Sequence, residues 1–220
     1  MEKHYIIDFD STFIQTEALD ELAALSLSGA DNQEQVTEQI KAITASGMAG
    51  DITFDQSLSQ RLALLGANKK QVQKLTVFLQ KKISPSIKQN KDFFKAQAEN
   101  IFIISGGFKE IIWPIVKPFG LKAENIFAND FVYDSSDQVI GADKNNFLAQ
   151  DKGKIKQLAE LRLPGKIYVL GDGYTDYEMK GLGVAHVFVA FVENIRRKKV
   201  VAMADRVAEN FNQFINYTYE

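Results

Sequence analysis

Five short apolar runs punctuate the chain, each too continuous to alternate and too brief to form a helix: HYIIDFD, NIFIISGG, ENIFAND, KIYVLGDG and VAHVFVAF. Runs of this length, rich in Ile, Val and Phe, read as strands buried on both faces, and helical patterns separate most of them. The fold class is therefore α/β, a doubly wound parallel sheet of Rossmann-like layout. From Thr16 to about Lys82 the pattern changes. TEALDELAALSL, NQEQVTEQIKAITA, TFDQSLSQRLALLG and KKQVQKLTVFLQKK all place apolar residues at helical spacing, with no strand run among them. This predicts a small helical bundle, residues 16–82, inserted after the first strand of a core made of residues 1–15 and 83–220. NDFVYDSSDQVIGAD, two short runs about a polar turn, predicts a hairpin.

Composition narrows the partners. With 220 residues and a net charge of -2, nothing in the balance favours nucleic acid or an anionic membrane, which leaves a small molecule. No 18-residue apolar span and no basic leader precede the first strand, so a cytoplasmic protein is expected. The sequence leaves open whether it is a monomer or a homodimer. There is no cysteine, and His4 and His186 are the only imidazoles, so a metal here would be hard and oxygen-bound. His4 reads as a surface residue at the strand start and His186 as a core or sheet-edge residue.

Three strands end in polar or glycine-rich turns, DFDST, SGG and GDGYTD. In an open parallel sheet these turns share one rim, where ligands bind. Asp8 and Asp10 lie two residues apart and Asp172 and Asp176 four apart, so four carboxylates reach one small volume. Such a volume suits Mg2+, which takes few carboxylates and keeps room for substrate phosphate. Ser105 and Gly106, ahead of a helical pattern, offer a hydroxyl and backbone N–H groups to phosphate oxygens. Lys152 and Lys154 open a further helix, and taken alone either reads as a solvated surface residue.

The ordered set DFDST, SGGF, DKGK and GDGYTD resembles the haloacid dehalogenase superfamily, and within it the phosphoserine phosphatases, over nearly the whole chain. The resemblance implies a helical cap at the insertion, a role in amino-acid biosynthesis, and Mg2+-dependent hydrolysis of O-phosphoserine. It makes Asp8 the nucleophile and Asp10 the general acid and base. It places Mg2+ on Asp8, the Asp10 carbonyl and Asp172, with Asp176 as a supporting acid. Ser105, Gly106 and Lys152 take the phosphate-binding positions; Lys154 keeps its surface reading. Thr175 stands where many members carry asparagine, at a substrate-side position its hydroxyl still serves.

On the insertion, Thr53 and Gln56 form a capping box ahead of an apolar stripe, Phe54, Leu58, Leu62 and Leu65. Arg61 falls on or beside that stripe, where an arginine needs an anion. In the resembled family the matching arginine binds the substrate carboxylate, the residue matching Glu17 meets the amino group, and those matching Met48 and Phe54 close over the substrate. Phosphothreonine, phosphohomoserine, phosphoethanolamine and phosphocholine remain alternative substrates, and transfer to an alcohol an alternative reaction. ENIRRKK reads as a solvated helix start, in a stretch where the family often places a turn near the site.

Overall fold

The computed structural model describes residues 2–219. Six strands form one parallel sheet: β1 (Lys3–Ile7), β2 (Ile101–Phe108), β3 (Ile126–Asn129), β6 (Lys166–Gly171), β7 (Val187–Phe191) and β8 (Arg206–Ala208). Their order is β3-β2-β1-β6-β7-β8, so the chain runs outward from β1 to β3 and restarts at β6 on the other side. β1 and β6 pair over five residues, from Lys3 opposite Lys166 to Ile7 opposite Leu170, and the order reverses at this seam. The carboxyl ends of β1 and β6 therefore deliver Asp8 and Asp172 side by side. β8, only three residues long, gave no apolar run to read.

Both sheet faces are buried, as continuous apolar strands require. Tyr5 and Ile7 enter one core, which a cluster of aromatic rings including Phe13, Phe94, Phe119 and Phe211 fills. His4 and Ile6 alternate to the other face. His4 is thus buried against Phe102 rather than at the surface, with no hydrogen bond to either ring nitrogen among the described residues. His186 is exposed, and its Nδ1 accepts the Ile167 N–H at 3.1 Å.

The chain leaves and rejoins the core through a small crossing. Gln15 N–H donates to the Lys82 carbonyl at 2.8 Å and Ser84 N–H to the Phe13 carbonyl at 3.0 Å. Between them lie α1 (Ala18–Ser26), α2 (Gln33–Met48), α3 (Phe54–Leu65) and α4 (Lys69–Leu79), and the short helices α5 (Pro85–Gln89) and α6 (Lys91–Ala96) follow in the core. α3 begins at the Thr53–Gln56 capping box and ends at Gly66, whose φ of 55° suits a residue without Cβ. β4 (Phe131–Tyr133) and β5 (Val139–Ala142) form the antiparallel hairpin, outside the main sheet. It abuts the insertion, since Val139 N–H donates to the Ala67 carbonyl at 2.8 Å.

One expected turn is extended. SGGF continues β2 to Phe108, with a register shift against β3 between Ile104 and Phe108. Such an irregularity re-aims side chains at a strand end. Ser105 is consequently not a helix cap; α7 (Lys109–Val116) starts beyond Phe108.

Candidate active site

Local backbone geometry sets the site. After β1 the chain turns tightly through Phe9–Phe13, with Ser11 at φ 52° and Ile14 N–H closing onto the Phe9 carbonyl at 3.0 Å. The turn is held from outside by Asn194, whose Nδ2 donates to the Ser11 carbonyl at 3.0 Å and to Ser84 Oγ at 2.7 Å. Asp8 is buried, and Asp10 Oδ1 accepts the Ala18 N–H at 2.9 Å, so Asp10's side chain turns toward the insertion. At the end of β6, Gly171 lies so close to Asp176 that a Cβ there would overlap the carboxylate.

Asp8, Asp172 and Asp176 are all buried, and each offers an oxygen within 4.8 Å of the other two. Hard oxygen donors at this density fit a small divalent cation. The chain also sets counter-charges beside these acids. Lys154 Nζ lies 2.9 Å from Asp8 Oδ1 and 2.7 Å from Asp176 Oδ1. Arg197 Nε donates to Asp172 Oδ2 at 2.9 Å and Nη2 to Glu17 Oε1 at 3.5 Å. Burial pushes the Lys154 ammonium down, but Asp176 and Asp8 outweigh it and hold the group above its ordinary value. Burial likewise raises Asp172, against the opposing pull of Arg197.

The lysine is the main departure from the sequence reading. Lys152, expected at the phosphate position, is exposed, with φ 56° at the start of α8 (Gly153–Leu161). Lys154, expected at the surface, has only 7% of its side chain accessible. Helical geometry explains the exchange: Lys154 and Leu158 stand one turn apart on the buried face of α8, whereas Lys152 precedes the helix and projects outward. Arg197, read within ENIRRKK as part of a solvated helix start, instead reaches Asp172. It follows β7, whose end lies on the same rim, and that position was the available signal.

A cavity of about 20 Å³ joins core and insertion. Asp8, Asp10, Ser105, Gly106, Thr175 and Lys154 line it from the core, and Glu17, Met48, Phe54 and Arg61 from the insertion side. Asp172 and Asp176 lie beyond it, and Lys152 lines an outer cleft of about 380 Å³. Gly106 packs against the Phe54 ring, where a Cβ would overlap it, and Met48 Sδ rests on Gly173. Arg61 is buried, with Nε donating to the Ser57 carbonyl at 3.3 Å. Glu17 Oε1 accepts the Ser11 hydroxyl at 2.7 Å, and burial, then Asp10 and Asp172, push its carboxyl well up. Burial, with Asp8 adding to it and the Ala18 N–H opposing, raises Asp10 to about 7. Two carboxylates two residues apart are thereby differentiated: Asp8 faces an ammonium, and Asp10 holds a proton near neutrality.

The family model of haloacid dehalogenase-like hydrolases matches residues 2–179. The chain belongs to that family. Among the relatives of this haloacid dehalogenase-like hydrolase, the chloroplastic phosphoserine phosphatase of Arabidopsis thaliana is 32% identical over 216 residues, 95% of this chain and 69% of its own. Human phosphoserine phosphatase is 31% identical, over 88% of this chain and 83% of its own. A solved phosphoserine phosphohydrolase-like protein from Francisella tularensis superposes with a TM-score of 0.89 at 31% identity, over 98% of this chain and 99% of that one. A substrate-bound phosphoserine phosphatase complex shares the fold, with a TM-score of 0.78 at 22% identity over 99% of both chains. No helix among the described residues is long and apolar enough to cross a membrane.

Proposed function

We propose that this phosphoric monoester hydrolase converts O-phospho-L-serine to serine and phosphate through a phosphorylated Asp8, with Mg2+ as cofactor. The observation that carries the reading is one cavity with Asp8 and Asp10 at its core side and Arg61 and Glu17 at the other. A zwitterionic amino acid uses both of the latter groups; phosphoethanolamine and phosphocholine have no carboxylate for Arg61.

Asp8 Oδ attacks phosphorus, and the bond from phosphorus to the serine oxygen breaks. Asp10 gives its proton to that oxygen and serine leaves. Asp10 then takes a proton from water, the water oxygen attacks phosphorus, and the bond to Asp8 breaks, releasing phosphate. Lys154 and the Ser105–Gly106 backbone balance charge on the transferring group. Mg2+, held by Asp8, Asp172 and the Asp10 carbonyl with Asp176 in support, would supply Lewis-acid stabilisation of phosphoryl oxygens. The cavity has room for about one water, so substrate entry requires the helical cap to swing Phe54 and Met48 away, and closure then excludes bulk water.

Phosphate release from a panel of phosphomonoesters tests the assignment. O-phosphoserine is expected to exceed phosphoethanolamine and phosphocholine in kcat/KM by at least about tenfold, since a lost charged contact costs that much or more. Equal rates across the panel would refute the serine assignment. Arg61→Lys loses the guanidinium fork and is expected to raise KM for O-phosphoserine about thirtyfold, leaving phosphoethanolamine hydrolysis nearly unchanged. Equal losses on both would show that Arg61 does not read a carboxylate.

The exchange of lysines is testable in the same assay. Lys154→Met is expected to lower kcat/KM about a hundredfold, the effect of removing one fixed donor to a developing charge. Lys152→Ala, at an exposed position, should stay within about twofold. The reverse ranking would restore the phosphate role to Lys152.

A further inference from the structure

β2 ends irregularly, and one buried side chain takes up the irregularity. From Ile104 to Phe108 β2 advances four residues while β3 advances two, from Phe127 to Asn129. Gly106 falls inside that excursion, out of register with β3, and its carbonyl needs a donor from elsewhere. Asn129, wholly buried at the end of β3, supplies it: Nδ2 donates to the Gly106 carbonyl at 2.9 Å and to the Leu148 carbonyl at 3.0 Å. Two carbonyls within reach of one terminal atom fix which way the amide points. Its Oδ1 then faces no hydrogen-bond donor among the described residues. A leucine would fill this place without burying an unpaired acceptor, so the two donated bonds, rather than packing, account for an asparagine here.

We propose, resting on the assignment of Ser105 and Lys154 to phosphoryl transfer, that Asn129 is a positioning residue for that site. The Gly106–Gly107 peptide is trans, so drawing its carbonyl toward Asn129 turns the Gly107 N–H the opposite way. That N–H donates to Ser105 Oγ at 3.0 Å. A hydroxyl that accepts on one side keeps its proton for another acceptor, and Ser105 lines the cavity with Asp8 and Asp10, so the proton is presented to a phosphoryl oxygen. The second bond acts on the lysine. Leu148 belongs to a short 3-10 turn, Phe147–Ala149, against which Gly153 packs as the first residue of α8. Lys154 follows directly, so one amide sets the spacing between the serine and the ammonium that flank the transferring group. Donors fixed in this way need no rearrangement as charge develops.

Phosphate release tests this with Asn129→Leu, which removes both donors, and Asn129→Asp, which keeps the shape but offers at most one. Circular dichroism at the assay temperature checks that each is folded. Each is expected to lose about thirtyfold in kcat/KM, the scale of a small misplacement at a reacting centre. The loss should be equal on O-phosphoserine and phosphoethanolamine, because the phosphoryl site serves both, in contrast to Arg61→Lys. In a Ser105→Ala background, Asn129→Leu should cost only about threefold, since the hydroxyl it orients is gone. A loss confined to O-phosphoserine, an undiminished loss on top of Ser105→Ala, native rates in both Asn129 variants, or unfolding of both would each overturn the positioning role, while turnover by the native chain still supports phosphoryl transfer. A native chain that releases no phosphate from either ester would overturn both.

Discussion

Asp8→Asn lowers turnover of O-phosphoserine by at least about four orders of magnitude, the scale on which single nucleophile replacements fall. The substitution keeps the side chain's size but removes the anion that attacks phosphorus, and an amide is no substitute nucleophile. The chain should remain folded. Asp8 is one of three closely placed buried carboxylates, and Lys154 keeps Asp176 as a partner at 2.7 Å. Removing one like charge relieves repulsion at the cost of one ion pair. Thermal unfolding close to that of the native chain, alongside lost turnover, is the expected pair of results. Residual activity within a hundredfold of native would point to direct attack by water.

Asp10→Asn gives the second largest loss, about a thousandfold on O-phosphoserine, within the range of a positioned acid or base. The loss should depend on the leaving group. Serine departs as an alkoxide that must be protonated, whereas a nitrophenolate leaves without help. With p-nitrophenyl phosphate, Asp8 in the variant still accepts the phosphoryl group, but no base activates water. One equivalent of nitrophenol per enzyme, followed by a stall, is the expected trace in a rapid-mixing experiment. An equal loss of the first phase on both esters would assign Asp10 to binding or folding instead. The proton needed for the first step is present near neutrality because burial and Asp8 raise Asp10 to about 7.

Much of this site was legible in the sequence because its carboxylates lie beside strand ends. A buried strand of five residues followed by Asp8, or of six followed by Asp172, places the acid at the rim whatever the helices do. Glu17, Arg61, Met48 and Phe54 were legible through spacing and the resemblance together, yet only the packing of insertion on core puts them in one cavity with Asp8. The placement of the two lysines has a geometric cause. The resemblance assigns the phosphate position to Lys152, which directly precedes Gly153, whereas which lysine turns inward depends on where α8 begins. Arg197 and Asn194 follow a strand whose exit carries a lone Glu193 rather than an aspartate pair or a glycine-rich turn, so their charge and amide read as surface chemistry. His4 was misplaced because strand alternation sends it to a buried face although it stands near the chain's beginning.

The central claim, that Asp8 takes the phosphoryl group from phosphoserine before water does, is tested most directly by isotope exchange. The enzyme is incubated with Mg2+, unlabelled O-phosphoserine and labelled L-serine, and label in the phosphoserine pool is followed while hydrolysis proceeds. A covalent Asp8 intermediate predicts that labelled serine enters that pool, that labelled ethanolamine forms no phosphoethanolamine, and that Asp8→Asn abolishes exchange. Phosphate release with no label entering phosphoserine at any serine concentration would contradict the account.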